Sequence, residues 1–225
     1  MANPKTCFTL DEAQAASEAW GFNCGPAAVC ALLGLKPEQV RPHLGEFERK
    51  RYTNPTLMRD ILKRCGVGFK QIYRGDDPAV TQLNTDLGLL RIQWGGPWTR
   101  PGVPMRVRYR HSHWIAMRGG MVFDINAISV GGWIPAREWS EQLVPWLCAE
   151  VEPKWDKTWW VTHVLEVGGQ SGEHSVRRGI LELARDAVDN QLRNGRMCPN
   201  DTDGDGDCGR PGCPVCGTMR PNHDG

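Results

Sequence analysis

A cysteine at the start of an apolar segment is the residue of this sequence best suited to chemistry. Cys24 is followed by Gly25 and Pro26, and then by small and apolar residues up to Gly34. Proline is tolerated in the first turn of a helix and glycine commonly ends one, so the segment predicts a buried helix with Cys24 at its N-terminus. The helix dipole stabilises a thiolate there, and the thiolate is the nucleophilic form of cysteine.

A histidine and two orienting residues follow downstream. A Gly-Gly pair at 119–120 predicts a hairpin with a two-residue loop. In that register His113 faces Asn126, Asp124 lies diagonally beside it, and all three side chains project from one face of the hairpin. The sequence therefore predicts a triad in which Cys24 is the nucleophile, His113 the base and Asp124 the orienting residue, with Asn126 as the alternative orienting residue.

Three separated pieces of the chain resemble papain-like cysteine peptidases. They are Cys-Gly-Pro-Ala-Ala at 24–28, His-Trp-Ile at 113–115 and Val-Phe-Asp at 122–124. The resemblance is closest to the double-glycine leader peptidases of bacteriocin exporters, which carry Asp-Cys-Gly, then a histidine before an aromatic and a hydrophobic residue, then an aspartate. It covers roughly residues 10–130 and implies a papain-like fold and a cysteine peptidase activity.

The same family places a glutamine six residues before its cysteine, where the side-chain amide helps to form the oxyanion hole. In this sequence that position is Glu18, and the nearest upstream glutamine is Gln14. We therefore expect the backbone N–H of Cys24 to be one oxyanion donor and Gln14 to be the candidate for a second.

The segments that must position these residues predict an α+β domain. A capping-box pattern at Thr9 and Glu12 opens a helix that leads toward Cys24. Apolar periodicity and turn residues predict the remaining elements. Strands are expected at 68–73, 89–94, 105–110 and 157–167 besides the hairpin, and helices at 55–65, 78–86, 135–148 and 171–193.

The predicted fold class is α+β and papain-like, with the nucleophile helix packed on an antiparallel sheet, then a C-terminal helix and a cysteine-rich tail. Residues 1–195 form the expected hydrolase domain and residues 196–225 the tail. The tail is nearly free of apolar residues and cannot fold on a hydrophobic core.

The tail cysteines have the spacing of a zinc site. The Cys-Pro-Val-Cys-Gly sequence is typical of a zinc knuckle, and two preceding cysteines complete a four-thiolate set. The candidate ligands are Cys198, Cys208, Cys213 and Cys216. Calcium is a weaker alternative, because the loop that starts at Asp201 has Gly212 where a calcium loop needs a glutamate. A disordered tail without metal is the third interpretation.

Composition restricts the partners and the compartment. Lys and Arg total 27 and Asp and Glu total 26, so the net charge of +1 gives no reason to expect a nucleic acid or a membrane as partner. There is no apolar leader and no membrane-length apolar run, and the nine cysteines are an odd number. We expect reduced thiols in a cytoplasm. The compact chain has the look of a phage or bacterial accessory protein. The ten tryptophans indicate either core packing or an aromatic-lined groove.

The predicted function is cysteine-dependent hydrolysis of a peptide or isopeptide amide through a thioester. Catalysis needs no cofactor, zinc in the tail is structural, and the substrate is a peptide or protein. Three alternatives stay open: an inactive papain-like binding or structural module whose tail docks a protein partner, a transglutaminase-like acyltransferase, and a nucleic-acid-binding accessory protein. The last would use the arginines at 105–110 and the cysteine-rich tail.

Overall fold

The computed structural model describes residues 4–151 and 154–168. The tail cysteines, the helix predicted at 171–193 and the domain boundary after residue 195 lie outside the described residues, so those predictions stay predictions.

Short helices make up most of the N-terminal part of the described chain. The α-helices are α1 (Leu10–Trp20), α2 (Cys24–Leu33), α3 (Pro37–Val40), α4 (Phe47–Lys50), α5 (Pro55–Arg64), α6 (Met105–Arg108), α7 (Ala136–Glu138) and α8 (Val144–Trp146). Single 3-10 segments occur at Arg41–His43, Pro97–Thr99, Tyr109–His111 and Ile125–Val130, and π-helical turns at Trp139–Leu143 and Leu147–Val151.

The two helices before and at the candidate nucleophile begin and end where their residues require. In α1, Glu12 N–H donates to Thr9 Oγ1 and Thr9 N–H donates to the Glu12 carboxylate, which confirms the capping box. Helix α2 is buried almost throughout and ends at Gly34, whose φ of 70° favours glycine. Both predicted boundaries are confirmed.

Six strands form one open antiparallel sheet. They are β1 (Lys70–Arg74), β2 (Leu87–Trp94), β3 (Ser112–Arg118), β4 (Met121–Phe123), β5 (Trp133–Pro135) and β6 (Trp159–Glu166). The order across the sheet is β1-β6-β2-β3-β4-β5, and every neighbouring pair is antiparallel. The α+β class is confirmed.

The β3–β4 hairpin has the predicted register. Arg118 pairs with Met121, and the two intervening glycines both have positive φ, as a two-residue hairpin turn requires. The ladder ends earlier than predicted, because Phe123 opposite Ala116 is the last paired residue of β4 and a 3-10 segment follows. The beginning of β3 therefore extends past β4.

The two faces of the sheet carry different elements. Leu90, Ile92 and Ile115 point to one face, where they form a buried cluster with Trp139 and other residues of the helical segment 136–151. Residues of opposite parity, such as Arg91, point to the other face, on which α2 packs against β3 and β2.

Two predicted elements are wrong and one is modified. Residues 105–110 form α6 and a 3-10 turn rather than a strand, because both sides of β2 are already paired and the buried Gln93 amide donates to the carbonyls of Arg108 and His111 instead. Residues 78–86 are not helical, since they begin with a turn at 78–79 and the Val80 carbonyl then accepts a hydrogen bond from the Val161 N–H in β6. The helix predicted at 135–148 is present, with two π-helical turns.

Candidate functional site

Cys24 lies at the N-terminus of α2 as predicted, and its neighbours fix that position. Asn23 caps the helix by accepting a hydrogen bond from Gly25 N–H at 3.2 Å, and its amide donates to Arg51 O at 3.1 Å. Gly25 leaves room for Thr53, because a Cβ at position 25 would lie 2.2 Å from Thr53 Oγ1. The start of α2 is therefore held closely against residues 51–53.

His113 contacts Cys24 because of the way the hairpin ends. The first residues of β3 have no β4 partner, so the Trp114 N–H is available and donates to the Cys24 sulfur. The His113 side chain forms a hydrogen bond with the same sulfur. Its Nε2 lies 2.9 Å from Asp124 Oδ1, which leaves Nδ1 as the nitrogen that faces Cys24.

Asp124 is fully buried and accepts four hydrogen bonds. Its Oδ1 accepts from His113 Nε2 and from the backbone and side-chain N–H groups of Asn126, each at 2.9 Å. Its Oδ2 accepts from Trp139 Nε1 at 2.8 Å. A buried carboxylate with this many donors stays ionised and rigidly oriented.

The three groups shift one another's protonation toward an ion pair. Burial raises the pKa of Cys24, but the charge and hydrogen bond of His113 and the Trp114 N–H outweigh it and lower that pKa below 9.0. Burial lowers the pKa of His113, yet the charges of Asp124 and Cys24 raise it well above 6.5. Burial raises the pKa of Asp124, and His113 more than reverses this. Each shift favours the charged form of its group, so together they favour a thiolate at Cys24 and an imidazolium at His113.

Asn126 and Gln14 do not occupy their predicted positions. Asn126 lies in the 3-10 segment instead of opposite His113, so it orients Asp124 and not the imidazole. Gln14 is exposed on α1 together with Glu18, one turn later, and it does not line the cavity at Cys24. The structure therefore does not bring Gln14 to the cavity at Cys24, because the buried face of α1 carries Ala13, Ala16 and Trp20 instead.

A cavity of about 870 Å³ opens at Cys24 on the face of the sheet that carries α2. Its lining combines aromatic and polar groups with six arginines and contains no Asp or Glu among the described residues. The six arginines are Arg51, Arg59, Arg74, Arg91, Arg106 and Arg110. The thiol is therefore accessible from a strongly basic cavity.

Sequence reasoning missed the groups that support the triad. Trp139 holds Asp124 from the helical segment 136–151, and Trp94 lies against the His113 ring with centroids 6.0 Å apart. Trp94 also stacks on Trp155 at 4.7 Å. No spacing along the chain links these tryptophans, and only the strand order and the path of the helical segment bring them together.

The zinc prediction rests on cysteines outside the described residues. Within residues 4–151 and 154–168, no group of three or more His, Cys, Asp or Glu side chains is arranged to hold a metal ion. None of the helices in this part of the chain has both the length and the apolar character needed to cross a membrane. Cys7, Cys24, Cys30, Cys65 and Cys148 are all free thiols.

The chain matches no protein-family model, no curated protein sequence and no solved structure.

Proposed function

We propose that this protein is a cysteine-dependent hydrolase of peptide or isopeptide amide bonds, with a papain-like arrangement of Cys24, His113 and Asp124. The observation that carries the proposal is the continuous chain of hydrogen bonds from the Cys24 sulfur through the His113 ring to the buried Asp124 carboxylate. A structural cysteine has no need of a buried histidine beside it, whereas a nucleophile does.

Contrast with the other buried cysteines supports this assignment. Burial raises the pKa of Cys65 to about 12, and it raises the pKa of Cys30 well above 9.0. Both thiols stay protonated at neutral pH, and no histidine is among the causes of either shift. Cys24 differs from them in its helix N-terminal position, its histidine partner and its opening to a cavity.

In the first half of the proposed reaction, the Cys24 thiolate attacks the carbonyl carbon of the substrate amide. A C–S bond forms, and the carbonyl electron pair moves onto oxygen. The N–H of Cys24, which has no acceptor within the helix at its first position, can donate to that oxyanion. His113 then gives its Nδ1 proton to the leaving nitrogen as the C–N bond breaks, which leaves a thioester and neutral His113.

In the second half, water releases the acyl group. His113 takes a proton from water as the water oxygen attacks the thioester carbonyl. The C–S bond breaks, the thiolate and imidazolium are restored, and the products are a carboxylic acid and an amine. Asp124 stays ionised throughout and stabilises the imidazolium. The cytoplasm is the compartment we propose, since it keeps such a thiol reduced.

Hydrolysis of a mixed pool of internally quenched peptides by the full chain tests the proposal. Cys24→Ala should abolish thiol-dependent cleavage, and His113→Ala should slow it on the order of 100-fold or more, because general acid–base catalysis contributes at least that factor. Cys7→Ser is the matched control, since Cys7 is a free and exposed thiol away from the triad.

The pattern across the three variants decides the outcome. Cleavage retained in Cys7→Ser and lost in Cys24→Ala is the expected result. Cleavage that persists in Cys24→Ala, or no cleavage and no thioester adduct with any pool member, would overturn the assignment.

A further inference from the structure

We infer that the cavity beside Cys24 binds an acidic peptide segment, with carboxylate side chains near the amide that Cys24 attacks. The inference deepens the proposed function by naming its substrate class. It rests on a row of side chains across the sheet, on arginines that form no ion pair with the described carboxylates, and on buried polar atoms that lack any partner.

The floor of the cavity is one row of directly paired residues. Trp114 on β3 pairs with Arg91 on β2, Arg91 pairs with His163 on β6, and His163 pairs with Arg74 on β1. Directly opposite residues of antiparallel strands point to the same face, and all four line the cavity. With strands about 4.8 Å apart, the row extends roughly 14 Å from Trp114, which is the length of about four extended residues.

Cys24 lies at one end of this row. The N–H of Trp114 donates to its sulfur. Burial lowers the pKa of Arg91, and the charges of Tyr109 and then of Cys24 partly oppose that lowering, so Arg91 lies within electrostatic reach of the thiol. A peptide whose amide reaches the sulfur and whose chain crosses the strands would therefore pass over Arg91 and then Arg74.

None of the six cavity arginines forms an ion pair with a carboxylate of the described residues, although Asp76 acts on Arg91 and Glu48 on Arg51 at longer range. No carboxylate oxygen of the described chain lies within 4.0 Å of any of the six guanidinium groups. Other arginines, such as Arg41 and Arg137, do form ion pairs with nearby glutamates. Because the whole chain has a net charge of only +1, the cluster is a local concentration of positive charge.

Three buried polar atoms on the cavity wall also lack partners among the described residues. They are Arg91 Nε, Thr53 Oγ1 and His163 Nδ1, in side chains that are 3%, 9% and 9% exposed. Arg91 is otherwise fixed, because its Nη2 donates to Ser112 Oγ at 2.8 Å and its guanidinium lies 4.6 Å from the Tyr109 ring centroid. A preorganised guanidinium with a free N–H is well suited to a carboxylate.

The position of the thiol favours a peptide over a nucleic acid. A thiolate attacks acyl carbons, and the backbone of a nucleic acid offers none. A carboxylate on a peptide gives the same ionic contacts as a phosphate and also brings an amide to Cys24.

Binding to the full-length Cys24→Ala variant tests the inference without turnover. The probes are fluorescein-labelled peptides of four glutamates, four glutamines or four lysines between glycines, and an oligothymidine of equal charge, all followed by fluorescence anisotropy. We expect the glutamate peptide to bind at least about tenfold more tightly than the glutamine peptide, because charge-assisted hydrogen bonds are the stronger ones. Arg74→Gln should weaken binding of the glutamate peptide by roughly three- to fivefold.

Arg100→Gln is the matched control, because Arg100 is exposed and does not line the cavity. Equal binding of the glutamate and glutamine peptides, equal effects of the Arg74 and Arg100 substitutions, or tighter binding of oligothymidine would each overturn the inference. If the glutamate peptide binds no more tightly than the glutamine peptide while the unmodified chain still hydrolyses peptides, the inference is refuted and the proposed function stands. If the glutamate peptide binds more tightly but the unmodified chain hydrolyses no peptide, the proposed function is refuted and the inference stands.

Discussion

The hydrogen bond from Trp139 to Asp124 gives a prediction whose size follows from the structure. In Asp124→Asn, the amide must turn its oxygen toward His113 Nε2 to keep that bond, so its NH2 group replaces Oδ2 and faces Trp139 Nε1. Two donors then meet in a fully buried site. The lost charge costs about 1.5–3 kcal/mol and the unsatisfied donors about 1–3 kcal/mol more, in unfolding free energy.

Trp139→Phe separates these two contributions. In the Asp124→Asn background it removes the conflicting donor, so Trp139→Phe should cost at least about 1–2 kcal/mol less unfolding free energy there than in the unmodified chain, the packing loss being common to both. On its own, Trp139→Phe should destabilise by about 1–2 kcal/mol from the donor lost to a buried carboxylate, in addition to the packing lost with the smaller ring. The pKa of His113 should fall in both variants that lack the carboxylate, since Asp124 is what raises it.

Urea unfolding at pH 7 provides the four free energies of this cycle, and NMR titration provides the His113 pKa. Trp20→Phe is the control, because Trp20 Nε1 donates to a different carboxylate, that of Glu38, at 3.0 Å. Its effect on the free energy of unfolding should simply add to that of Asp124→Asn, with no coupling between the two substitutions. Additive effects of the Trp139 and Asp124 substitutions would refute the hydrogen bond and the orientation it gives to the triad.

Three further predictions concern His163, the tail and Gln14. Burial and neighbouring arginines lower the pKa of His163 to about 4, so only the unfolded chain takes up its proton between pH 6.5 and 4. The free energy of unfolding should fall by about 3 kcal/mol more in the unmodified chain than in His163→Gln over that range. Elemental analysis should find about one zinc per chain, lost in the Cys213→Ser/Cys216→Ser variant; metal-free protein would refute the zinc site. Gln14→Ala should leave the rate of peptide hydrolysis within about twofold, whereas loss of an oxyanion donor would cost about 100-fold or more.

Local patterns in the sequence predict the elements that carry the triad. Proline and glycine define the ends of α2, and the Gly-Gly turn fixes the register that places His113 near Asp124. These features are local, so the chemistry of a few neighbouring residues determines them. The hairpin prediction failed beyond Phe123, because alternation alone does not show where a strand stops pairing.

The cavity and the support for Asp124 could not be predicted from the sequence. Arg74, Arg91 and His163 meet because β6 inserts between β1 and β2, and strand order is a long-range property. Trp139 reaches Asp124 because the helical segment 136–151 packs on the face of the sheet that carries His113. The sequence predicts Arg106 and Arg110 on a strand, yet they line the cavity from a short helix and the turn that follows it.

The pH dependence of Cys24 alkylation is the most direct test that Cys24 and His113 form a thiolate–imidazolium pair. The native chain, in the Cys7→Ser background, is treated with iodoacetamide from pH 5 to 10, and the modified residue is located by mass spectrometry. We expect Cys24 to react first, with a pKa below the ordinary thiol value of 9.0, and we expect His113→Ala to raise this pKa. A Cys24 that titrates at or above 9.0, or that is unaffected by His113→Ala, would contradict the thiolate–imidazolium pair and the enzyme built on it.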